Sequence, residues 1–176
     1  MNPLVKIAIV GPESTGKSTL TRQLAITFYT SFADEVARGF LDTLGRPYHM
    51  SDLLSIARLQ VEEEKRAQAL AREVFFTDTN LLVIRVWSEF KYNYCHPWIL
   101  ENMNLDSYSL HFLTGIDIPW ETDPQREHPH RREELYAIYK HQLTKANVPF
   151  VEINGDPVAR LSAAVSHTRK LLSGGQ

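Results

Sequence analysis

Eight residues constrain this chain more than any others: Gly11-Pro12-Glu13-Ser14-Thr15-Gly16-Lys17-Ser18. They match the phosphate-binding pattern G-x-x-x-x-G-K-[ST] and stand directly behind the apolar run VKIAIV. Leu4 to Val10 reads as a buried strand, short, rich in β-branched residues and ended by a glycine. From Lys17 to about Tyr29, Leu20, Leu24 and Phe28 recur at helical spacing. The motif therefore has the strand that aims it and the helix that completes it, which a plain glycine-rich turn would not need. Two glycines let backbone N–H groups converge on a β-phosphate. The helix start adds unpaired N–H groups and the positive end of its dipole. The expected cradle comprises Gly11, Glu13, Ser14, Thr15, Gly16, Lys17, Ser18 and Thr19. Lys17 is placed to bridge the β- and γ-phosphates, and the Ser18 hydroxyl to ligate Mg²⁺. Glu13 is an acid inside an anion cradle. It sits in the variable part of the loop, where its side chain can turn towards a second substrate or towards arginines elsewhere.

Beyond the loop, strand-like and helix-like segments alternate. Phe32 to Ala37 fits a second strand, with Glu35 and Arg38 at its end. Ser51 is placed to cap a helix over about Asp52–Glu73, and the run EEEKR, Glu62 to Arg66, reads as that helix's solvated face. Val74 to Asp78 is a buried strand ending in an acid. Trp87 to Tyr94 is an aromatic-rich helix broken by His96-Pro97. Tyr108–Leu113 and Pro149–Ile153 are the remaining strands, and Glu133–Lys145 and Pro157–Leu172 the remaining helices. Five strands interleaved with helices predict an α/β domain whose parallel sheet is flanked on both faces. No linker or repeat interrupts the pattern, so one domain is expected over residues 1–176. Its polar, proline-bearing segment at about 115–132 has the character of a lid.

Composition narrows the setting. The 176 residues are 43% hydrophobic and 23% charged, which suits one globular domain with a full core. A net charge of −2 argues against a broad nucleic-acid surface. The one cysteine, Cys95, has no internal partner, and no apolar run approaches the ~20 residues of a membrane helix. The expectation is a cytoplasmic protein acting on a small molecule, without nucleic acid or membrane; the oligomeric state is left open.

Four further groups carry possible chemistry. Asp78, at the carboxyl edge of its strand, falls beside the phosphate loop in such a fold, where it can hold Mg²⁺ or accept a proton from a hydroxyl. Glu35 and Arg38 project from the same edge, as a general base and as a cation for Glu35 or a phosphate; an exposed salt bridge is the plainer alternative. Trp120 to Arg126, followed by Arg131 and Arg132, resembles a mobile lid whose arginine reaches a transferring phosphate on closure. Trp120 would stack on a flat ring. Asn154-Gly155-Asp156 is a turn by composition, and the corresponding turn in nucleotide-binding folds often lies near the adenine, so Asp156 is a candidate cofactor contact. The aromatics Trp87, Phe90, Tyr92, Tyr94 and Trp98 either wall a ring pocket or fill the core. His128-Pro129-His130 and Cys95-His96 fit no usual zinc spacing.

A switch GTPase is disfavoured, because Asp78 is followed by Thr79-Asn80-Leu81 rather than D-x-x-G, and no strand precedes an N-K-x-D segment. Motor ATPases need more chain. A kinase of a small molecule remains. GPESTGKS, Glu35-Val36-Ala37-Arg38, Phe75 to Thr79 and the W-x-x-D-x-x-R segment Trp120 to Arg126 together resemble the kinase domain of NadR-type nicotinamide riboside kinases, over almost the whole chain. The resemblance implies the three-layer P-loop NTPase fold with strand order 2-3-1-4-5. It implies ATP-dependent phosphorylation of the ribose 5′-hydroxyl of nicotinamide riboside, with Mg²⁺. On that reading Lys17, Asp78, Glu35 and Arg126 are the catalytic set. Glu13, Glu35, Arg38, Asp78, Trp120 and Asp123 face the acceptor. A kinase for another nucleoside or a nucleotide, and a regulatory ATPase switch, are the alternatives.

Overall fold

The structure, a computed structural model, describes residues 3–174. The outermost two residues at each end of the expected 1–176 domain lie outside the described residues. In chain order the elements are β1 (Val5–Val10), α1 (Lys17–Thr27), β2 (Phe32–Ala33), α2 (Ala37–Thr43), α3 (Met50–Gln68), β3 (Val74–Asp78) and α4 (Leu81–Tyr92). They continue with α5 (Pro97–Asn102), a 3-10 turn at Leu105–Ser107, β4 (Leu110–Thr114), α6 (Arg132–Lys145), β5 (Phe150–Ile153) and α7 (Pro157–Ser173). The five strands form one parallel sheet in the order β2-β3-β1-β4-β5. That is the predicted fold class and strand order.

The sheet's faces follow from alternation along its strands. Ile7 and Ile9 of β1 pack with Phe76, Phe112, Leu20 and Leu24 on the side of α1 and α7. Ala8 and Val10 pack with Leu82, Val86 and Leu143 on the side of α4 and α6. Both faces are covered, so β1 is apolar without a break from Ile7 to Val10. The register sets Ile9 opposite Asp78 and Val10 opposite Leu113. The phosphate loop, Asp78 and Thr114 therefore leave the sheet at one edge.

Several local expectations change. β2 has two residues where six were expected, because the next peptide groups bond elsewhere. The buried side chain of Gln60 on α3 accepts from Val36 N (3.1 Å) and donates to the Asp34 carbonyl (3.1 Å). The chain then turns into α2, which begins at the last residue of the expected strand and for which no helix was expected. α4 begins at Leu81 rather than Trp87: Asn80 caps it by accepting from Leu82 N (3.1 Å). Its first turns, Leu81 to Ile84, are buried on every side, so no helical period shows in the sequence. Pro97 starts α5 at its first turn as well as ending the previous segment. His49 with Asp52, not Ser51, closes the start of α3 in a reciprocal capping box. Within EEEKR, Glu64 turns inward and accepts from Tyr108 Oη (2.6 Å). Burial pushes its carboxyl up to about 7 against the opposing pull of Tyr108, Lys6 and Thr77. Among the described residues no helix is long and apolar enough to cross a membrane.

Candidate active site

Backbone geometry explains the glycines of the loop. Gly11 has φ 142°, and a Cβ there would stand 2.5 Å from Thr114 Oγ1 and 3.0 Å from the Thr114 carbonyl. Gly16 enters α1 at φ 76°, a left-handed conformation that glycine adopts without strain. Lys17 Nζ lies back along the loop and donates to the Pro12 carbonyl (2.8 Å). Thr15 Oγ1 donates to the same carbonyl (2.8 Å) and meets Thr114 Oγ1 at 2.7 Å. Beneath the loop lies Arg160 of α7, which is 4% exposed. It donates to the carbonyls of Thr15 (2.6 Å), Gly115 (3.0 Å) and Gly155 (2.7 Å) and pairs with Asp117. This cation holds the loop, the end of β4 and the β5–α7 turn together. Nothing in the sequence around Arg160 marks it, since its partners are main-chain oxygens from three distant segments.

The loop floors a cavity of about 340 Å³. Glu35 and Arg38 line it from the α2 side, Val83, Trp87 and Phe90 from α4, and Leu135 and Tyr139 from α6. Ile118, Pro119, Glu121, Gln125, Arg126 and His128 of the connection between β4 and α6 complete the wall. One end of the cavity is a backbone cradle for anions, the α4 and α6 walls are apolar and aromatic, and the remaining wall carries the charged and polar side chains. The aromatic candidates divide: Trp87 and Phe90 reach the cavity, whereas Tyr92, Tyr94 and Trp98 are not among its lining residues.

Asp78 is 1% exposed, and neither carboxylate oxygen has a hydrogen-bond partner of good geometry. Burial first and the Glu35 charge second push its carboxyl up to about 6, while Lys17 and the Ser18 hydroxyl pull the other way. An unpaired buried carboxylate beside a cationic loop is a costly arrangement unless a cation or proton joins it. The Thr79 backbone next to it is strained, with φ 77° at a β-branched residue. That conformation is held by Ile9 O, which accepts Thr79 N (3.1 Å), and by Thr77 Oγ1 (2.7 Å) and Gln60 Nε2 (3.4 Å), which donate to the Thr79 carbonyl. Gln60 thereby clamps the Glu35 turn to the Asp78 turn, a second contribution that sequence reading missed. The group set fits Mg²⁺: Asp78 and Ser18 offer hard oxygens, and waters and phosphates would complete the shell. Among the described residues no group of three or more His, Cys, Asp or Glu converges as a metal cluster.

Residues 115–131 lie over the loop. Ser14 Oγ accepts from Glu121 N (2.9 Å) and from Arg126 (3.2 Å). Arg132 donates to the Ser14 carbonyl (3.2 Å). Five residues expected to contact a ligand have partners within the protein or stand outside the cavity lining. Glu13 faces this segment but grips its backbone, accepting from the N–H groups of Glu127 (3.0 Å) and His128 (3.1 Å) rather than meeting its arginines. Asp123 is held by Arg38 (2.8 Å) and by Gln125 N (2.9 Å), so Arg38, which also lines the cavity, forms the exposed salt bridge that was its plainer reading. Trp120 does not line the cavity; the Arg132 guanidinium lies 5.7 Å from its ring centroid. Asp156 caps α7 by accepting from Ala159 N (2.8 Å), which commits the carboxylate to its own helix.

A family model described as an AAA domain matches residues 6–160. The chain belongs to the AAA domain family. Within it, the chain is 28% identical over 155 residues to the trifunctional NAD biosynthesis/regulator protein NadR of Escherichia coli K12, and 26% identical to that of Salmonella typhimurium LT2. Each match covers 84% of this chain and 37% of the relative, so this AAA domain chain spans little more than a third of their length. A NadR crystal structure in complex with NR superposes with TM-score 0.80 at 20% identity, over 95% of this chain and 51% of that one. A deoxyadenosine kinase from M. mycoides superposes with TM-score 0.70 at 15% identity, covering 94% of this chain and all of the other. The resemblance to NadR drawn from the motifs is thus borne out, and the fold is that of the phosphate-loop kinases.

Proposed function

We propose that this chain is an ATP-dependent phosphotransferase acting on a nucleoside, with nicotinamide riboside as acceptor and nicotinamide mononucleotide as product. The observation that carries the reading is the buried, unpaired Asp78, which sits against Ser18 behind the loop, outside the lining of a cavity that is polar at the loop and aromatic at Trp87 and Phe90. The NadR relatives and the NadR structure with NR support this acceptor. Dependence on ATP fits a cytoplasmic setting.

The residues divide the work of an in-line transfer. Loop N–H groups and Lys17 hold the phosphates, and the Lys17 amine leaves the Pro12 carbonyl to do so. Bound Mg²⁺, held by Ser18 and Asp78, would neutralise phosphate charge. The ribose hydroxyl forms the new O–P bond as the bond to the departing ADP oxygen breaks, and its proton passes to Glu35, the acid that lines the cavity. Arg126, carried over the loop on the 115–132 lid, stabilises charge on the moving group. Trp87 and Phe90 give the flat ring its wall.

Incubating the protein with γ-labelled ATP and a panel of ribosides and nucleotides tests this. Label on nicotinamide riboside, abolished in a folded Lys17→Ala variant, is the expected result. Near-normal transfer by that variant would remove the phosphate-loop mechanism. A second reading, a kinase for another nucleoside or a nucleotide, draws on the structural likeness to deoxyadenosine kinase and on an aromatic wall that suits any flat base. Label on such an acceptor would favour it. Slow hydrolysis without any acceptor would favour an ATPase switch.

A further inference from the structure

Glu127 bonds the phosphate loop directly and reaches the Trp87 wall of the cavity through Tyr48. Its backbone N–H donates to Glu13 of the phosphate loop (3.0 Å), while its carboxylate accepts from Lys91 (2.6 Å) and Tyr48 Oη (2.5 Å). Tyr48 Oη in turn accepts from the Trp87 indole (2.8 Å) and from Lys91 (2.6 Å), and its ring stands edge-on to Trp87 at 5.0 Å. The Tyr48 hydroxyl thus has one donor and two acceptor positions in use, and any rotation of it breaks a bond. The ion pair is two-thirds shielded, with side-chain exposures of 29% and 31%, and charge-assisted at both ends.

We propose that Glu127 and Tyr48 are positioning residues that fix the Trp87 wall of the acceptor pocket only when the lid is seated on the phosphate loop. The inference rests on the kinase reading for the identity of the acceptor, but not for the coupling itself. A phosphate in the loop attracts Arg126, which already bonds Ser14 Oγ beside it, and so favours the seated lid. The seated lid carries Glu127 to Tyr48, and Tyr48 holds the indole. Donor and acceptor sites then share one free energy of coupling, so each ligand tightens the other. No contact between the two ligands is needed.

The test uses three variants. Glu127→Ala cuts the strap while keeping the backbone grip on Glu13. Tyr48→Phe removes only the hydroxyl, and Glu127→Gln keeps an acceptor for it. Hydrogen exchange of the protein with Mg²⁺ and a non-hydrolysable ATP analogue should show protection at residues 11–18 and at 44–52. In Glu127→Ala and Tyr48→Phe, protection should persist at 11–18 and vanish at 44–52, whereas Glu127→Gln should retain most of it. In turnover with the active acceptor, the first two variants should raise the acceptor KM about 10-fold, with the ATP KM within about twofold. The double variant should be no worse than either single one, because both cut the same chain. Protection at 44–52 that is missing in the parent, or kept in both cut variants, overturns the proposal. Additive effects of the two substitutions also overturn it. Failure of nicotinamide riboside as acceptor leaves the exchange result standing and refutes the substrate reading instead.

Discussion

Replacing Asp78 with Asn should make the ligand-free protein more resistant to unfolding as pH rises, while removing its activity. The folded carboxyl titrates near 6, and its ordinary value is 3.8. Below pH 3.8 both states are protonated and the residue adds no pH dependence. As pH rises through the window from 3.8 to 6, the unfolded chain loses its proton first, so the folded state loses stability; above 6 the penalty is constant. The full difference amounts to about 3 kcal/mol at 1.36 kcal/mol per pH unit, and roughly 2 kcal/mol of it develops between pH 4.5 and 7.5. Asn carries no such term. Whatever fixed cost its buried amide brings is the same at every pH. Urea unfolding of both proteins across that range, without nucleotide, gives the difference directly, and other titrating groups such as Glu64 cancel. The advantage of the variant over the parent should grow by roughly 2 kcal/mol from pH 4.5 to 7.5. Mg-nucleotide should then stabilise the parent far more than the variant. A difference that stays flat with pH would refute the buried-charge argument.

Two other substitutions probe the loop's support. Arg160→Met leaves two buried carbonyls and the half-buried Gly155 carbonyl without this donor and should cost about 3–5 kcal/mol, lowering Tm by about 10 °C in a thermal melt. Arg160→Lys, with a charge but no fork, should fall between. Gly11→Ala should weaken ATP binding at least about 10-fold, because the new Cβ displaces the cradle by a distance that positioning cannot tolerate. Adding Thr114→Ala should not restore binding, since the Thr114 carbonyl, 3.0 Å from that Cβ, remains; isothermal titration with ATP reads both.

Legibility in the sequence followed the range of the forces involved. β3 was read to the residue because an apolar run ending at Asp78 is a local signal, and the loop because its geometry lies within eight residues. α2 was lost because a side chain from α3, Gln60, ends β2 by taking its neighbours' peptide groups, and such a bond leaves no local pattern. The start of α4 was lost for the opposite reason: a helix buried all round shows no period. In the site, Lys17, Ser18, Glu35, Arg38 and Arg126 do converge on one cavity. Trp120 and Asp156 were chosen by motif and turn position, which locate a residue along the chain but do not say which neighbour claims its side chain. Trp87 was visible only as one of five aromatics, and its distinction comes from its bond to Tyr48 across 39 residues of sequence, Tyr48 being held in turn by Glu127 across 79. Arg160 has no local signature at all.

The central claim is that a phosphoryl group passes from ATP to a ribosyl hydroxyl in the cavity between Lys17 and Trp87. Phosphorus NMR of the reaction with Mg-ATP and nicotinamide riboside measures it most directly. The predicted result is a monoester resonance of nicotinamide mononucleotide growing in step with ADP, absent with Lys17→Ala. Inorganic phosphate appearing in place of that ester, or the ester forming faster on every other nucleoside offered, would contradict the account.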